Sequence, residues 1–257
     1  MNAYAGGFVG PHWSATRFMT FEQCPGEYKA RYVDERPFEL TEPLAFGKAM
    51  HQALEAYYQG QPDYELVFRR AWRQQAQELG GQVHRQLTGT GLVLLDKVIE
   101  LGLAGVPERG FALDTESDLG APIVGAVDLW SLDPPVVYDF KTTRGRWSQA
   151  RAQAEIYQPL LYTWAFWEET TIWPAFEYVV LDRVTGQLSR FRREWTQESW
   201  WEEMGQCWIR MRQIAALVAG GLLECHGKHG FCPECGERWG HDHLCDETVH
   251  TARRIRL

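Results

Sequence analysis

Long apolar runs are missing from this 257-residue sequence: none approaches the roughly 20 residues that a helix needs to cross a bilayer, so a membrane-spanning protein is not expected. The first ten residues, MNAYAGGFVG, also lack the basic and then apolar order of a secretory signal. Internal repeats and low-complexity linkers are absent as well. We therefore expect a cytoplasmic protein with an ordinary globular core and no membrane partner.

Positive charge is also scarce. The net charge is −8, and only five of the 26 basic residues are lysines. Because phosphate binding depends on Lys and Arg, this balance argues against nucleic-acid binding by the surface as a whole. The other basic residues are arginines, which bind phosphate better, and one cluster of them comprises Arg144, Arg146 and Arg151. A phosphate site in this protein must therefore be local.

Hydrophobic periodicity predicts an α/β protein. The helical patterns cover residues 14–33, 43–60, 63–79, 83–104, 148–169 and 196–219. We expect a break at Cys24-Pro25, an interruption at TGTG (88–91), and a kink or a new helix start at Pro159. The strand candidates GFALDTES, PIVGAVDLWSL and PPVVYDFKTT predict an antiparallel meander, and a hairpin is predicted around Thr185-Gly186.

The strand VVYDFKTT, residues 136–143, carries two charged residues inside an apolar run. Strand side chains alternate between faces, so Asp139 and Lys141 lie on the same side, and a turn at LDPP brings Asp128 of GAVDLW beside them. Two adjacent carboxylates need a neutralising charge, which Mg²⁺ or Mn²⁺ supplies, and the lysine suits a phosphoryl group. A salt bridge on an edge strand explains the same residues, so this alternative stays open.

Six short motifs follow one another along the chain: CPGEYKARYV, FGKAMHQALE, GAVDLW, DFKTT, QPLLYTWA and CPECGERWGHDHLC. In this order they resemble the RecB-type nucleases of the PD-(D/E)XK superfamily, which include CRISPR-associated, phage and AddB-like iron–sulfur exonucleases. The resemblance covers residues 14–245. It implies a restriction-endonuclease-like α/β core, with a mixed central sheet flanked by helices, an N-terminal helical region and a Cys-rich iron–sulfur tail.

As a division of the chain, the resemblance implies a single nuclease domain over residues 1–257. Its parts are a helical region at 14–110, a catalytic sheet core at 111–195, and a C-terminal helix with a cysteine cluster at 196–257.

The resemblance also implies roles for individual residues. His51, Asp128 and Asp139 are the expected ligands of Mg²⁺ or Mn²⁺, and Lys141 is the expected catalytic lysine. Gln158 and Tyr162 are expected to line the same cleft, although Gln153 and Tyr157 have the same spacing. Glu116 is a further candidate to support the metal from a neighbouring strand. Arg144, Arg146 and Arg151 are expected to hold the DNA backbone.

The cysteines have two explanations. Cysteines in a reducing compartment do not predict a disulfide framework, and Cys-x-x-Cys at 232–235 is typical of zinc sites. The spare ligands for zinc are His226, His229, His241 and His243. The resemblance instead implies a 4Fe–4S cluster held by four of Cys24, Cys225, Cys232, Cys235 and Cys245. Cys207 is expected to be an ordinary buried thiol.

The function that the resemblance implies is metal-dependent hydrolysis of DNA. The expected substrate is single-stranded DNA or DNA ends, cut by an exonuclease in end processing, recombination or repair, with a recombination or helicase protein as partner. Two alternatives stay open: a non-catalytic DNA-end-binding or scaffolding subunit with a structural metal cluster, and an adaptor whose zinc-containing tail binds a partner.

Overall fold

The computed structural model describes residues 10–37, 40–80 and 85–223. These residues form two units. The first contains residues 40–80, 85–112 and 124–201, and the second contains 10–37, 113–123 and 202–223. Among the helices of these described ranges, none is long and apolar enough to cross a membrane.

The described residues contain fourteen helices and strands, joined by turns and loops. In chain order they are α1 (Ala15–Gln23), α2 (Pro25–Tyr32), α3 (Glu42–Tyr58), α4 (Tyr64–Glu78), α5 (Arg85–Glu100), β1 (Val106–Leu113), α6 (Glu116–Leu119), β2 (Ile123–Leu132), β3 (Pro135–Thr143), α7 (Gln149–Ala154), α8 (Tyr157–Thr170), β4 (Ala175–Asp182), β5 (Gln187–Arg193) and α9 (Gln197–Ala219).

The predicted break at Cys24-Pro25 is confirmed. The Ser14 hydroxyl accepts the backbone N–H of Arg17 and caps α1, as its sequence indicates. Cys24 then caps α2, because its Sγ accepts the backbone N–H of Glu27 at 3.4 Å. Pro25 suits the first position of α2, where no backbone N–H is needed.

The predicted interruption at TGTG is wrong, since α5 runs through it without a break. The reason lies in packing. A Cβ atom on Gly91 would come within 2.1 Å of the Phe68 ring, so the glycine permits α4 and α5 to approach each other. Gly91 therefore serves a helix contact rather than a turn.

Five strands form the sheet, in the order β1-β2-β3-β4-β5. The predicted hairpin between β2 and β3 is antiparallel, with Leu129 opposite Tyr138. Strands β3 and β4 are parallel and are connected through α7 and α8, whereas β4 and β5 are antiparallel around the predicted turn at Thr185-Gly186. The sheet is thus mixed and has helices against it, as expected of a restriction-endonuclease-like core.

The hydrophobic core of the first unit lies between the sheet and helices α3, α4 and α5. Tyr138 and Phe140 belong to it together with Phe46 and Met50 of α3. Because side chains alternate along β3, packing these two aromatic residues directs Asp139 and Lys141 to the opposite face. The core therefore fixes which face of β3 carries the charged pair.

The helical stretch at 148–169 is divided, as Pro159 predicts. Helix α7 ends at Ala154 and α8 begins at Tyr157, which puts Pro159 in the first turn of the new helix. A proline is tolerated there because the first backbone N–H groups of a helix have no intrahelical partner. This restart positions Gln158 at the beginning of α8.

Candidate active site

Asp128 stands where β2 and β3 stop pairing. The ladder ends at the pair Leu129 and Tyr138. Two residues further along β3, the backbone N–H of Phe140 donates to Asp128 Oδ2 at 2.6 Å. The other carboxylate oxygen, Oδ1, lies 3.3 Å from Nδ1 of His51. The Asp128 carboxylate therefore joins two strands and helix α3.

His51 reaches Asp128 because α3 lies unusually close to β3. A Cβ atom on Gly47 would stand 2.9 Å from Thr142 Oγ1, so a glycine is needed one turn before His51. The spacing Gly47-x-x-x-His51 follows from helix geometry, since residues four apart share a face. The motif therefore combines a close backbone approach with a histidine directed along the same face.

Asp139 and Lys141 form a buried ion pair. Lys141 Nζ lies 2.7 Å from Asp139 Oδ2, and the Asp139 side chain is 2% exposed, whereas that of Lys141 is 28% exposed. Burial, opposed by the Lys141 charge, raises the pKa of Asp139 to about 6. The lysine thus keeps its ammonium group accessible while it neutralises a carboxylate beneath.

A residue of helix α8 donates a hydrogen bond to Asp139 of this pair. Gln158 Nε2 donates to Asp139 Oδ1 at 3.1 Å and lies 3.2 Å from the Tyr162 hydroxyl. Gln158, rather than Gln153, is therefore the residue that contacts Asp139, and Tyr162, rather than Tyr157, is the tyrosine hydrogen-bonded to Gln158. Gln153 is exposed on α7, and Tyr157 is buried at the start of α8.

Glu108 is a member of the site that the sequence analysis did not find. One ligand atom each from His51, Glu108 and Asp128 lie within 4.8 Å of one another, an arrangement that could hold a metal ion. The backbone of Glu108 has φ +48°, in the left-handed region that non-glycine residues avoid. Strained backbone of this kind is often found at functional sites.

Glu116 does not occupy this position. It begins α6 in the second unit, its side chain is exposed, and it is not part of the metal-ligating group. The predicted strand began at Gly110, whereas β1 begins at Val106, so Glu108 lay outside the expected strand. The acidic residue beside Pro107 was the available signal in the sequence. An acidic residue next to a proline is too common to identify a metal ligand.

Electrostatics favour a cation at this group. Burial and the Asp128 charge raise the pKa of Glu108 to about 7. Although burial opposes it, the Asp128 carboxylate raises the pKa of His51 to about 9, and His51 in turn lowers that of Asp128 despite its burial. The carboxylates of Glu108 and Asp128 suit Mg²⁺ or Mn²⁺, and His51, which is protonated at neutral pH with this pKa, offers a ring nitrogen to the metal by releasing its proton. The residues present therefore fit a divalent metal.

A family model described as the PD-(D/E)XK nuclease superfamily matches residues 12–239. The chain belongs to that superfamily. No curated protein matches this member of it.

One solved structure shows the same fold. The crystal structure of a candidate exonuclease from Eubacterium rectale has a TM-score of 0.60 and 14% sequence identity, and the match covers 96% of this chain and 89% of that one. A second structure, of the protein SSO0001, has a TM-score of 0.32 and 13% identity over 74% of this chain and 82% of that one. Likeness at this identity concerns the fold alone.

The predicted DNA-binding arginines of this superfamily member follow β3 directly. Arg144, Arg146 and Arg151 are all exposed. Arg146 donates to Gln187 Oε1 at 2.8 Å, and the Arg151 guanidinium stacks on Trp147 with its Cζ 4.5 Å from the ring centroid. Their role as DNA ligands remains a prediction.

The cysteine predictions are only partly within the described residues. Cys24 is 2% exposed at the junction of α1 and α2. Cys207 is buried in α9, and burial raises its pKa to about 12, which fits the expected inert thiol. The remaining cysteines, Cys225, Cys232, Cys235 and Cys245, lie outside the described residues, so the iron–sulfur tail remains a prediction.

Proposed function

We propose that the protein is a Mg²⁺- or Mn²⁺-dependent deoxyribonuclease of the RecB type, acting as an exonuclease on single-stranded DNA or DNA ends. The observation that carries this proposal is the convergence of His51, Glu108 and Asp128 beside the Asp139–Lys141 pair. A retired site has no reason to keep the histidine, three carboxylates and the lysine together. Superfamily membership supports the same reaction class.

The reaction is hydrolysis of a phosphodiester bond. A water oxygen bonds to phosphorus, the bond to the leaving oxygen breaks, and a proton from the water passes to the leaving group. Asp128, Glu108 and His51, with Asp139 beside them, would hold a divalent cation, which would supply positive charge for the leaving oxygen. Lys141, whose side chain is 28% exposed beside Asp139, stabilises the negative charge that develops on the phosphate.

Gln158 and Tyr162 have a supporting role in this proposal. Gln158 fixes the orientation of the Asp139 carboxylate through its hydrogen bond, and Tyr162 restrains Gln158 in turn. With one oxygen held by Gln158 and the other near Lys141, Asp139 has little rotational freedom. A preorganised carboxylate binds its cation without reorienting during the reaction.

We further propose that Cys24 and three of the cysteines at 225, 232, 235 and 245 hold a 4Fe–4S cluster. The buried position of Cys24 between two helices supports a structural ligand there. Recombination or end processing, with a helicase or recombination protein as partner, is the expected context. Structural zinc is the alternative, and metal and acid-labile sulfide analysis of the purified protein distinguishes the two.

The deciding experiment is a cleavage assay on end-labelled single- and double-stranded DNA with Mg²⁺, Mn²⁺ or chelator. We expect metal-dependent loss of linear single strands, while circular single-stranded DNA, which has no ends, resists. Asp139→Asn removes the activity, and Asp63→Asn, at an exposed helix N-terminus, serves as the matched control and keeps it. Binding of DNA without cleavage under every metal condition would favour the scaffolding alternative instead.

A further inference from the structure

A row of residues leads from the active site across the sheet. Asp139 on β3 is in register with Tyr178 on β4, which is in register with Phe191 on β5. Residues directly opposite each other on adjacent strands project from the same face. With strands spaced about 4.8 Å apart, the row spans two strand spacings from the active carboxylate to the edge of the sheet.

Trp147 lies over this row. Its ring centroid is 5.1 Å from that of Tyr178 and 6.5 Å from that of Phe191. At the other end of the row, Lys141 Nζ lies 5.8 Å from the centroid of the Tyr178 ring. Tyr178 itself is fully buried, so the accessible members of this group are Lys141, whose side chain is 28% exposed, and the half-buried Trp147.

Guanidinium groups surround the outer part of the row. Arg151 stacks on Trp147, and Arg193 stacks on Trp195 with its Cζ 4.7 Å from the ring centroid. Arg193 also donates to the backbone oxygen of Glu155 at 2.9 Å, which joins the end of β5 to the segment after α7. In a chain of net charge −8, this local excess of arginine is complementary to a polyanion.

The opposite side of the active site has the opposite charge. Glu108 on β1 and Glu55 on α3 are close enough to interact electrostatically. A phosphate backbone that left the site over β1 would meet these carboxylates. A backbone that leaves along the segment after β3 meets the exposed Arg144, Arg146 and Arg151 instead, so the charges favour that direction.

We propose that Trp147 is the stacking platform for a base next to the cleaved bond, so that a single strand enters the site along the exposed segment that follows β3. This inference rests on the proposed function. An aromatic ring between guanidinium groups binds the face of a base, while the arginines bind the phosphates on either side. Base faces are exposed in single strands and covered in a duplex, so Trp147 also favours single-stranded substrate.

The first test measures binding of a short, fluorescently labelled single-stranded oligonucleotide by the full chain in chelator, where nothing is cut. We expect Trp147→Leu to weaken binding about five- to hundredfold, and Trp147→Phe, which keeps an aromatic face, to retain most of the affinity. Trp201→Leu is the matched control, because Trp201 is a 47% exposed tryptophan outside this row. Its affinity should equal that of the unchanged protein.

Abasic oligonucleotides sharpen the test. When the base is removed at successive positions, the unchanged protein should lose affinity at one position near the cleaved bond, and Trp147→Leu should show no further loss there. Arg151→Gln should lower the slope of log affinity against log salt by about 0.7, whereas Trp147→Leu leaves the slope unchanged. These readouts separate stacking from charge and from a general loss of structure.

Each outcome decides the inference. Suppose that the unchanged protein cuts DNA. If Trp147→Leu then binds single strands as tightly as the unchanged protein, or if the unchanged protein loses the same affinity at every abasic position, Trp147 is not the platform and the nuclease proposal stands. If the unchanged protein cuts no DNA with Mg²⁺ or Mn²⁺, the proposed function itself fails. Loss in Trp147→Leu with recovery in Trp147→Phe supports the inference.

Discussion

The backbone N–H of Phe140 donates a hydrogen bond to the Asp128 carboxylate at 2.6 Å, in place of a ladder bond between β2 and β3. This contact brings a proposed metal ligand to the point where the strands separate. It also means that the Asp128 side chain has two separable properties, its negative charge and its capacity to accept a hydrogen bond from the sheet.

Substitution of Asp128 tests these properties separately. Asp128→Asn keeps an acceptor oxygen for Phe140, so its free energy of unfolding should exceed that of Asp128→Ala by about 1 kcal/mol, while both lose cleavage by at least roughly a hundredfold. Denaturant unfolding and the cleavage assay measure the two effects. Equal stability of the two variants would contradict the structural role of the hydrogen bond.

Lys141→Met should remove cleavage with little effect on DNA affinity. The methionine has a similar length but no charge, so the charge developing on the phosphate is no longer stabilised, and we expect kcat to fall by about 10²- to 10³-fold. KM should change much less, because the ammonium acts mainly in the transition state. A rise in KM with kcat unchanged would make Lys141 a binding residue only.

Asp139 should make the metal-free protein less stable as the pH rises. Burial raises its folded-state pKa to about 6, above the usual 3.8 of an aspartate, so between about pH 4 and 6 the folded protein holds a proton that the unfolded chain has released. The free energy of unfolding therefore falls across this window by about 2 to 3 kcal/mol. Denaturant unfolding in chelator should show this fall together with one from Glu108, whose pKa is also raised, and Asp139→Asn should remove only the part due to Asp139; parallel curves would refute the assignment.

Glu108 offers a test of backbone strain at a proposed ligand. At φ +48° a side chain costs about 1 to 2 kcal/mol relative to glycine, so Glu108→Gly should be more stable than Glu108→Ala by about that amount. Both variants lose the carboxylate, and both should need more Mg²⁺ for half-maximal cleavage. Equal stability would mean that the strand relaxes, and unchanged metal dependence would exclude Glu108 as a ligand.

Local rules predicted one half of this site. The alternation of strand side chains is sufficient to put Asp139 and Lys141 on one face, because it follows from backbone geometry alone. The hairpin that delivers Asp128 follows from the LDPP turn in the same way. Both expectations depend on residues adjacent in sequence or separated by a short turn, and both agree with the structure.

The other half depends on contacts that no local rule encodes. The approach of His51 requires α3 to pack closely at Gly47, and the contact of Gln158 requires α8 to cross β3. Only the resemblance to a known family indicated these two residues. Glu108 was missed because β1 begins earlier than the hydrophobic pattern of the strand suggests. Gly91 was misinterpreted because it permits the contact between α4 and α5 and does not form a turn.

The last prediction concerns Cys24, which both caps α2 and is the proposed first ligand of the iron–sulfur cluster. Serine is a preferred cap residue but a poor ligand for iron, so Cys24→Ser keeps the helix cap and removes only the thiolate. We expect it to lose iron, acid-labile sulfide and visible absorbance. Cys207→Ala, at the other buried cysteine of the described residues, is the matched control and should retain all three. Full iron content in Cys24→Ser would exclude this ligand, and zinc without sulfide in the unchanged protein would replace the cluster by a zinc site.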